Sequence, residues 1–234
     1  GKIPQGIRKK EVAFANNLPN DGLNIFGLQF TARGPYNVGG RSRALEIDIN
    51  DENVIVAGGA SGGIWKSENG GNSWDKMISQ NQIHNVTCVT QDKRQGKSNI
   101  WYFGTGELDG SSASGGGAYF QGNGIYKSYD NGLTWDSLPY TASNNPQTFD
   151  SRFDYVWDIE IDNSIDSLDV IYACTYGNIW RSEDGGYNWN KTLGGNGNHY
   201  YTSIKIDSNG TAYGALSSVY SNAIQKGIWR SNNG

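Results

Sequence analysis

One short pattern recurs four times along this chain, and it restricts the possible folds more than any other feature. It reads Ile, aromatic, basic, Ser, any residue, Asp or Asn, Gly or Asn, Gly. The copies begin at Ile64, Ile125, Ile179 and Ile228. In the first three, a tryptophan follows: Trp74, Trp135 and Trp189. The fourth stops at Gly234, ahead of that position. The repeated serines Ser67, Ser128, Ser182 and Ser231 lie 61 (67 to 128), 54 (128 to 182) and 49 (182 to 231) residues apart. Repeats of that length are single supersecondary units that bury their apolar faces against one another.

The local chemistry of the pattern is that of a tight turn between two antiparallel strands. Asn69, Asp130 and Asp184 are placed to accept hydrogen bonds from N–H groups inside the turn. Gly71, Gly132 and Gly186 can take positive φ there. Trp74, Trp135 and Trp189 re-enter the sheet and are expected to be buried between neighbouring units. Two further strand-like runs precede each turn. They are 43–49 and 54–57, then 85–89 and 100–103, then 157–162 and 170–173, and last 202–207 and 211–214. With the two strands flanking the turn, each repeat holds four strands, A to D, which is one propeller blade.

The turn pattern resembles the Asp box, Ser-x-Asp-x-Gly-x-Thr-Trp, also called the BNR repeat. Asp boxes occur in sialidases, sortilin-type receptors, xyloglucan-cleaving hydrolases and secreted bacterial proteins of no assigned activity. The resemblance runs from about Gly34 onward and points to this last group, through Gly34-Pro35-Tyr36-Asn37-Val38-Gly39-Gly40-Arg41 and the Thr105-Gly106-Glu107 loop. It implies an all-β fold, a β-propeller of four-stranded antiparallel blades with Asp-box hairpins, about four of them covered by this chain. It also implies a secreted or cell-surface location and cargo of the type IX secretion route. The expected organisation is an N-terminal segment, 1–33, and a partial propeller, 34–234, continuing beyond the chain end. The first segment is either a closing strand, with Ile25–Phe30 as the candidate, or a linker.

Composition agrees with many short strands: the 234 residues include 33 Gly, 8 Trp and 14 Tyr but one Met. A net charge of -4 provides no electrostatic footprint for nucleic acid. The basic run Arg8-Lys9-Lys10 reads as a solvated tail. No apolar run approaches the ~18 residues of a membrane span. Cys88 and Cys174 both sit in apolar strand-like runs. The favoured reading is two buried free thiols, and sequence does not decide whether they pair.

Blade topology separates two ends. The box turns and the A–B turns share one end; the B–C and D–A loops share the other. The second end receives the long, aromatic loops and is the candidate ligand face: Glu107, Asp109, Tyr119, Phe120, Arg152, Phe153, Tyr155, Tyr176, His199 and Tyr200. Exposed rings with a few carboxylates and an arginine suit a glycan or a peptide. The competing reading, weighted equally, has these rings pack the loops onto the propeller. Glu107 admits two roles, a general acid or base paired with Asp109 or Asp154, and a structural cap of its loop; the second is favoured.

No catalytic residue, metal ligand or cofactor is assigned. Two histidines, His84 and His199, form no zinc spacing, and no nucleophile elbow is present. The Arg segment that opens a typical sialidase is missing, since Arg41 and Arg43 stand in a different context, Gly-Gly-Arg-Ser-Arg. Ala60 occupies the position that aligns with the essential Asp of the xyloglucan-cleaving group. The reading is a non-catalytic extracellular propeller that binds protein or glycan on a cell surface or in the matrix, as an adhesin, scaffold or recognition module. The alternative is a glycoside hydrolase with carboxylates partly outside this stretch.

Overall fold

A computed structural model describes residues 9–10, 13–14, 17, 41–79, 82, 85–108, 120–142, 148–195, 201–217 and 225–231. The expected strand at 25–30 lies outside them. The strands form four separate antiparallel sheets in chain order. The first is β1 (Ser42–Ile47), β2 (Ile55–Gly59), β3 (Gly63–Ser67) and β4 (Asp75–Lys76). The second is β5 (Val86–Gln91), β6 (Trp101–Thr105), β7 (Ile125–Ser128) and β8 (Asp136–Ser137). The third is β9 (Val156–Ile161), β10 (Ile171–Thr175), β11 (Asn178–Ser182) and β12 (Asn190–Leu193). The fourth has β13 (Thr202–Ile206), β14 (Ala212–Leu216) and β15 (Gly227–Ser231) among the described residues. The only other regular element from Arg41 onward among them is a single 3-10 turn, η1 (Arg152–Asp154). Each sheet is a simple meander, so the expected all-β propeller blades are present.

The core lies between the blades. β1 packs on β5, β5 on β9 and β9 on β13, which makes the first strands an inner row. Ala44, Val56 and Ile64 of blade 1 meet Val86, Trp101 and Phe103 of blade 2. Tyr102, Ile125 and Leu138 meet Val156, Ile159 and Ile171 across the next interface. Tyr172, Cys174 and Ile179 meet Ile204 and Ala212 across the third. Both faces of a middle blade are therefore covered. This explains why β6 and β10 are buried at every position and read as continuous apolar runs rather than alternating ones.

The repeated turn is built as its residues suggest, with one addition. Asp130 Oδ1 accepts from the N–H of Leu133 (3.1 Å) and Thr134 (2.8 Å), and Asp184 Oδ1 from Tyr187 (3.0 Å) and Asn188 (2.9 Å). Asn69 Oδ1 accepts from Ser73 N–H at 2.8 Å. The addition is the serine: Ser67, Ser128 and Ser182 Oγ accept from the N–H of Gly71, Gly132 and Gly186 at 2.8–2.9 Å. Those glycines have φ of 87°, 78° and 98°. The indole N–H of each box tryptophan closes the turn by donating to the same glycine's carbonyl. Trp135 and Trp189 are buried, whereas Trp74 is half-buried, with no preceding blade among the described residues to cover it.

Polar clamps tie neighbouring blades at the box end. Arg94 of blade 2 is 5 % exposed and uses all five of its N–H donors. Two go to Asp92, one to Asp169, and two to the carbonyls of Ile165 and Leu168 of blade 3. Lys127, the basic residue of the second repeat, donates to Gly185 O at 3.2 Å. Its ammonium lies 4.6–5.6 Å from the ring centroids of Tyr102, Tyr129 and Tyr187. Burial holds its pKa below the ordinary lysine value.

Candidate functional site

The two ends of the blades are distinct. At one end the box turns rest on the A–B turns of their own blades, through Gly70 N–H to Asn53 O, Asn131 N–H to Asn99 O and Gly185 N–H to Asp169 O, each 2.9 Å. The other end carries the candidate ligand face. Its centre is the Thr105-Gly106-Glu107 turn that leaves β6. Thr105 Oγ1 donates to Gly124 O (2.7 Å) and accepts from Asn123 N–H (2.8 Å), holding the loop's two ends together. Gly106 has φ of 96°, and a Cβ there would stand 1.8 Å from Asp154 O, so only glycine fits against η1 of blade 3. Glu107 pairs its backbone with Phe120 at 2.7 and 2.8 Å.

The Glu107 side chain has no exposed surface. Its two oxygens meet two arginines of blade 1: Arg43 at 2.9 Å, and Arg41. This one turn thus joins three blades, blade 1 through Glu107 and blade 3 through Gly106. Both carboxylate oxygens are thus engaged by guanidinium groups, which makes the side chain a strut between blades 1 and 2.

A second carboxyl sits nearby. Asp154 is 1 % exposed and ends η1. Its Oδ2 accepts from the N–H of Asp150 (2.9 Å) and Ser151 (3.1 Å), and its Oδ1 has no partner. Burial raises its pKa against the opposing effect of those hydrogen bonds. Asn85, which donates to the carbonyls of Phe120 and Gln121 (both 2.9 Å), also leaves its Oδ1 unpartnered.

The η1 turn sorts the aromatic residues. Ser151 caps it by accepting from Phe153 N–H at 3.2 Å. Phe153 then points inward and packs on Trp180 (5.2 Å) and Trp189 (5.5 Å). Arg152 points outward over the rings of Tyr176 (5.2 Å) and Phe149 (5.9 Å). Beyond it runs a row of rings: Phe149 to Tyr155 at 5.6 Å, Tyr155 to Trp157 at 6.3 Å, and Trp157 to Tyr201 at 5.3 Å. Phe149, Tyr201 and Phe120 are exposed, and Tyr140 is 52 % exposed beside Phe153.

Of the residues expected on this face, the structure brings Arg152, Tyr155 and Tyr176 into one cluster with Phe149. Phe153 and Tyr155 are buried and present little surface, and Glu107 is an inter-blade contact. Asp109, Tyr119, His199 and Tyr200 lie outside the described residues. Trp157 was not among the expected residues. In sequence it reads as an ordinary first residue of a strand; its place in the ring row depends on a bulge that no residue pattern announces. Among the described residues, no three His, Cys, Asp or Glu side chains gather as metal ligands would. Cys88 and Cys174 are free, buried thiols. No helix among the described residues is long and apolar enough to cross a membrane.

No family model matches this chain, and no curated protein does. Solved structures do. An ancestral GH74 enzyme superposes with a TM-score of 0.54 at 18 % identity over 83 % of this chain and 26 % of its own. The GH74 xyloglucanase from Xanthomonas campestris gives 0.52 at 15 % identity, over 82 % of this chain and 28 % of its own. An auxiliary nutrient binding protein from Bacteroides thetaiotaomicron gives 0.51 at 10 % identity, over 82 % and 42 %. The chain spans about a quarter of the length of the two GH74 enzymes. These neighbours are β-propeller proteins, and at such identities the likeness is one of fold: the chain is a stretch of β-propeller with four consecutive blades.

Proposed function

We propose that this chain is part of a non-catalytic extracellular propeller, secreted or at the cell surface, that binds a glycan or a protein through the end bearing the Thr105-Gly106-Glu107 turn and the ring row. The observation that carries this reading is the state of Glu107. The best-placed acid of the face is fully buried and held by Arg41 and Arg43, while Phe120, paired with it through the backbone, is exposed. The likeness of the turn to the Asp box of secreted bacterial proteins supports the location. The fold neighbours include a protein named for nutrient binding, which is compatible with the role. Hydrolysis assays on sialosides and β-glucans, run beside a glycan array, test the proposal. Binding without turnover is expected, and Glu107→Gln should lower stability rather than remove an activity. Turnover by the parent that is lost in a well-folded Glu107→Gln would overturn it.

A second reading rests on Asp154. A buried carboxyl with a raised pKa and an unpartnered oxygen has the character of the general acid of a glycosidase. Turnover abolished by Asp154→Asn, with the fold intact by circular dichroism, would favour the hydrolase.

A further inference from the structure

The repeated turn fixes where its tryptophan goes. Trp74, Trp135 and Trp189 each stand seven residues after the serine of their repeat (67 to 74, 128 to 135, 182 to 189). At the interface between blades 2 and 3, Trp189 is 4 % exposed. It lies in one cluster with Tyr102, Ile125 and Leu138 of blade 2 and with Ile171 and Ala173 of blade 3, against Trp180. At the interface between blades 1 and 2, Trp135 lies likewise among Val56 and Ile64 of one blade and Trp101, Phe103 and Tyr126 of the next. Each of these two tryptophans therefore fills a seat made jointly by its own blade and the blade before it.

The ladders identify the equivalent positions between blades 3 and 4. Ile171 pairs with Ser182 and Ala212 with Ser231, so β14 and β15 repeat the frame of β10 and β11. In that frame Tyr102, Ile125 and Leu138 correspond to Tyr172, Ile179 and Leu193. Ile171, Ala173 and Trp180 correspond to Ala212, Gly214 and Trp229. All six of these counterparts line one slot of about 250 Å³. The strand beside it is an open edge. β3, β7 and β11 each pair with a last strand, whereas β15 pairs with β14 alone among the described residues. Trp229 is accordingly 42 % exposed, while Tyr126, at its position in blade 2, is 4 % exposed. An unpaired edge next to an apolar slot is the arrangement that accepts a further strand: the edge supplies backbone hydrogen bonds and the slot selects a side chain.

We propose that this slot seats the tryptophan of a strand that pairs along β15, and that the strand is the one following the fourth turn in the same polypeptide, its tryptophan seven residues after Ser231. The pairing is antiparallel. Ile228, Trp229 and Arg230 take the places that Ile179, Trp180 and Arg181 hold against β12. The lining selects the side chain, because its counterparts at two other interfaces already enclose an indole. The turn selects the donor. In three repeats it returns the chain directly along the strand before it, so a strand leaving the fourth turn reaches the slot without a long loop to close. A strand from another molecule would also lose its translational and rotational freedom. This acceptor site is independent of the ligand-binding role set out above.

The test joins a copy of residues 187–195 after Gly234, which supplies the tryptophan and the strand that follows it. Hydrogen exchange at the amides of residues 227–230 is read by mass spectrometry in three proteins: the parent chain, the extended chain, and the extended chain with alanine in place of the added tryptophan. The extension should slow exchange at these amides at least tenfold and raise the melting temperature. The alanine form should exchange within twofold of the parent and melt with it. Equal protection by both extensions would mean that the edge takes a strand without the indole, which overturns the tryptophan seat. Exchange unchanged by either extension overturns the acceptor site as a whole. Protection already present in the parent and lost on dilution, alongside a dimer-to-monomer change in sedimentation, would assign the edge to a second copy and overturn the strand of the same polypeptide.

Discussion

At the scale of single residues, the turn aspartates are structural acceptors, and their ionisation follows from that. Burial pushes the Asp130 carboxyl up, but hydrogen bonds from the Thr134 hydroxyl and N–H, the Ser128 hydroxyl and the Leu133 N–H outweigh it and hold its pKa below the ordinary 3.8. Asp184 behaves likewise through Asn188, Ser182 and Tyr187. A carboxylate whose folded pKa is depressed contributes stability that is present above the unfolded value and lost as pH falls through the folded one. The melting temperature should therefore drop below about pH 4, a window set by these turns. Asp130→Ala should cost about 1–2 kcal/mol at neutral pH as a lost turn cap. Asp130→Asn should cost less, because Asn69 already fills the same position in the first repeat with the same acceptor geometry. Thermal melts of both variants between pH 3 and 7 check this. Equal losses for Ala and Asn would mean that charge, not the acceptor oxygen, holds the turn.

At the scale of elements, the box tryptophans measure what a blade interface contributes. Trp135 wedges between blades 1 and 2, where its ring meets Phe103 at 4.8 Å, and it is 5 % exposed. Removing it loses both transfer free energy and packing, so Trp135→Ala should destabilise by about 3–5 kcal/mol. Trp74 occupies the same position of its blade and makes the same indole bond to its glycine, yet it is half-buried. Trp74→Ala should cost clearly less, about 1–2 kcal/mol, in proportion to the area it buries. Denaturant melts of the two variants make the comparison. Equal losses would place the value of the tryptophan inside its own turn rather than in the interface.

At the scale of the whole molecule, the interfaces act in series. Each middle blade is packed on both faces, and Arg94 and Lys127 add polar links between blades 2 and 3. Cys88 and Cys174 sit in successive interfaces, and burial pushes both thiols up. Neither should react with iodoacetamide at pH 8 while the blades stay stacked. Their alkylation rates should rise with denaturant along the global unfolding curve. Rapid modification of one thiol in the native protein would show that its interface opens independently.

The division between sequence and tertiary structure can be traced through particular residues. The turn is a local object. Ser, Asp or Asn, Gly and Trp within eight residues satisfy one another, so four repeats were enough to predict blades, turns and the separation of two ends. The strand runs were legible as well, to within a few residues at their ends, because apolar side chains recur with the period of a strand. What lay beyond the sequence depended on contacts between blades. Glu107 reads in sequence as a cap of its own loop, favoured over an acid, and only the fold shows that Arg41 and Arg43, more than sixty residues earlier, hold it. Phe153 and Arg152 are neighbours in sequence, yet the η1 turn sends one to the core and the other to the surface. Trp157 looks like any strand aromatic, and only the bulge and the packing of blade 4 leave its N–H without a partner. Short-range hydrogen bonding made the fold readable; the site is assembled by long-range packing between blades, which no local pattern records.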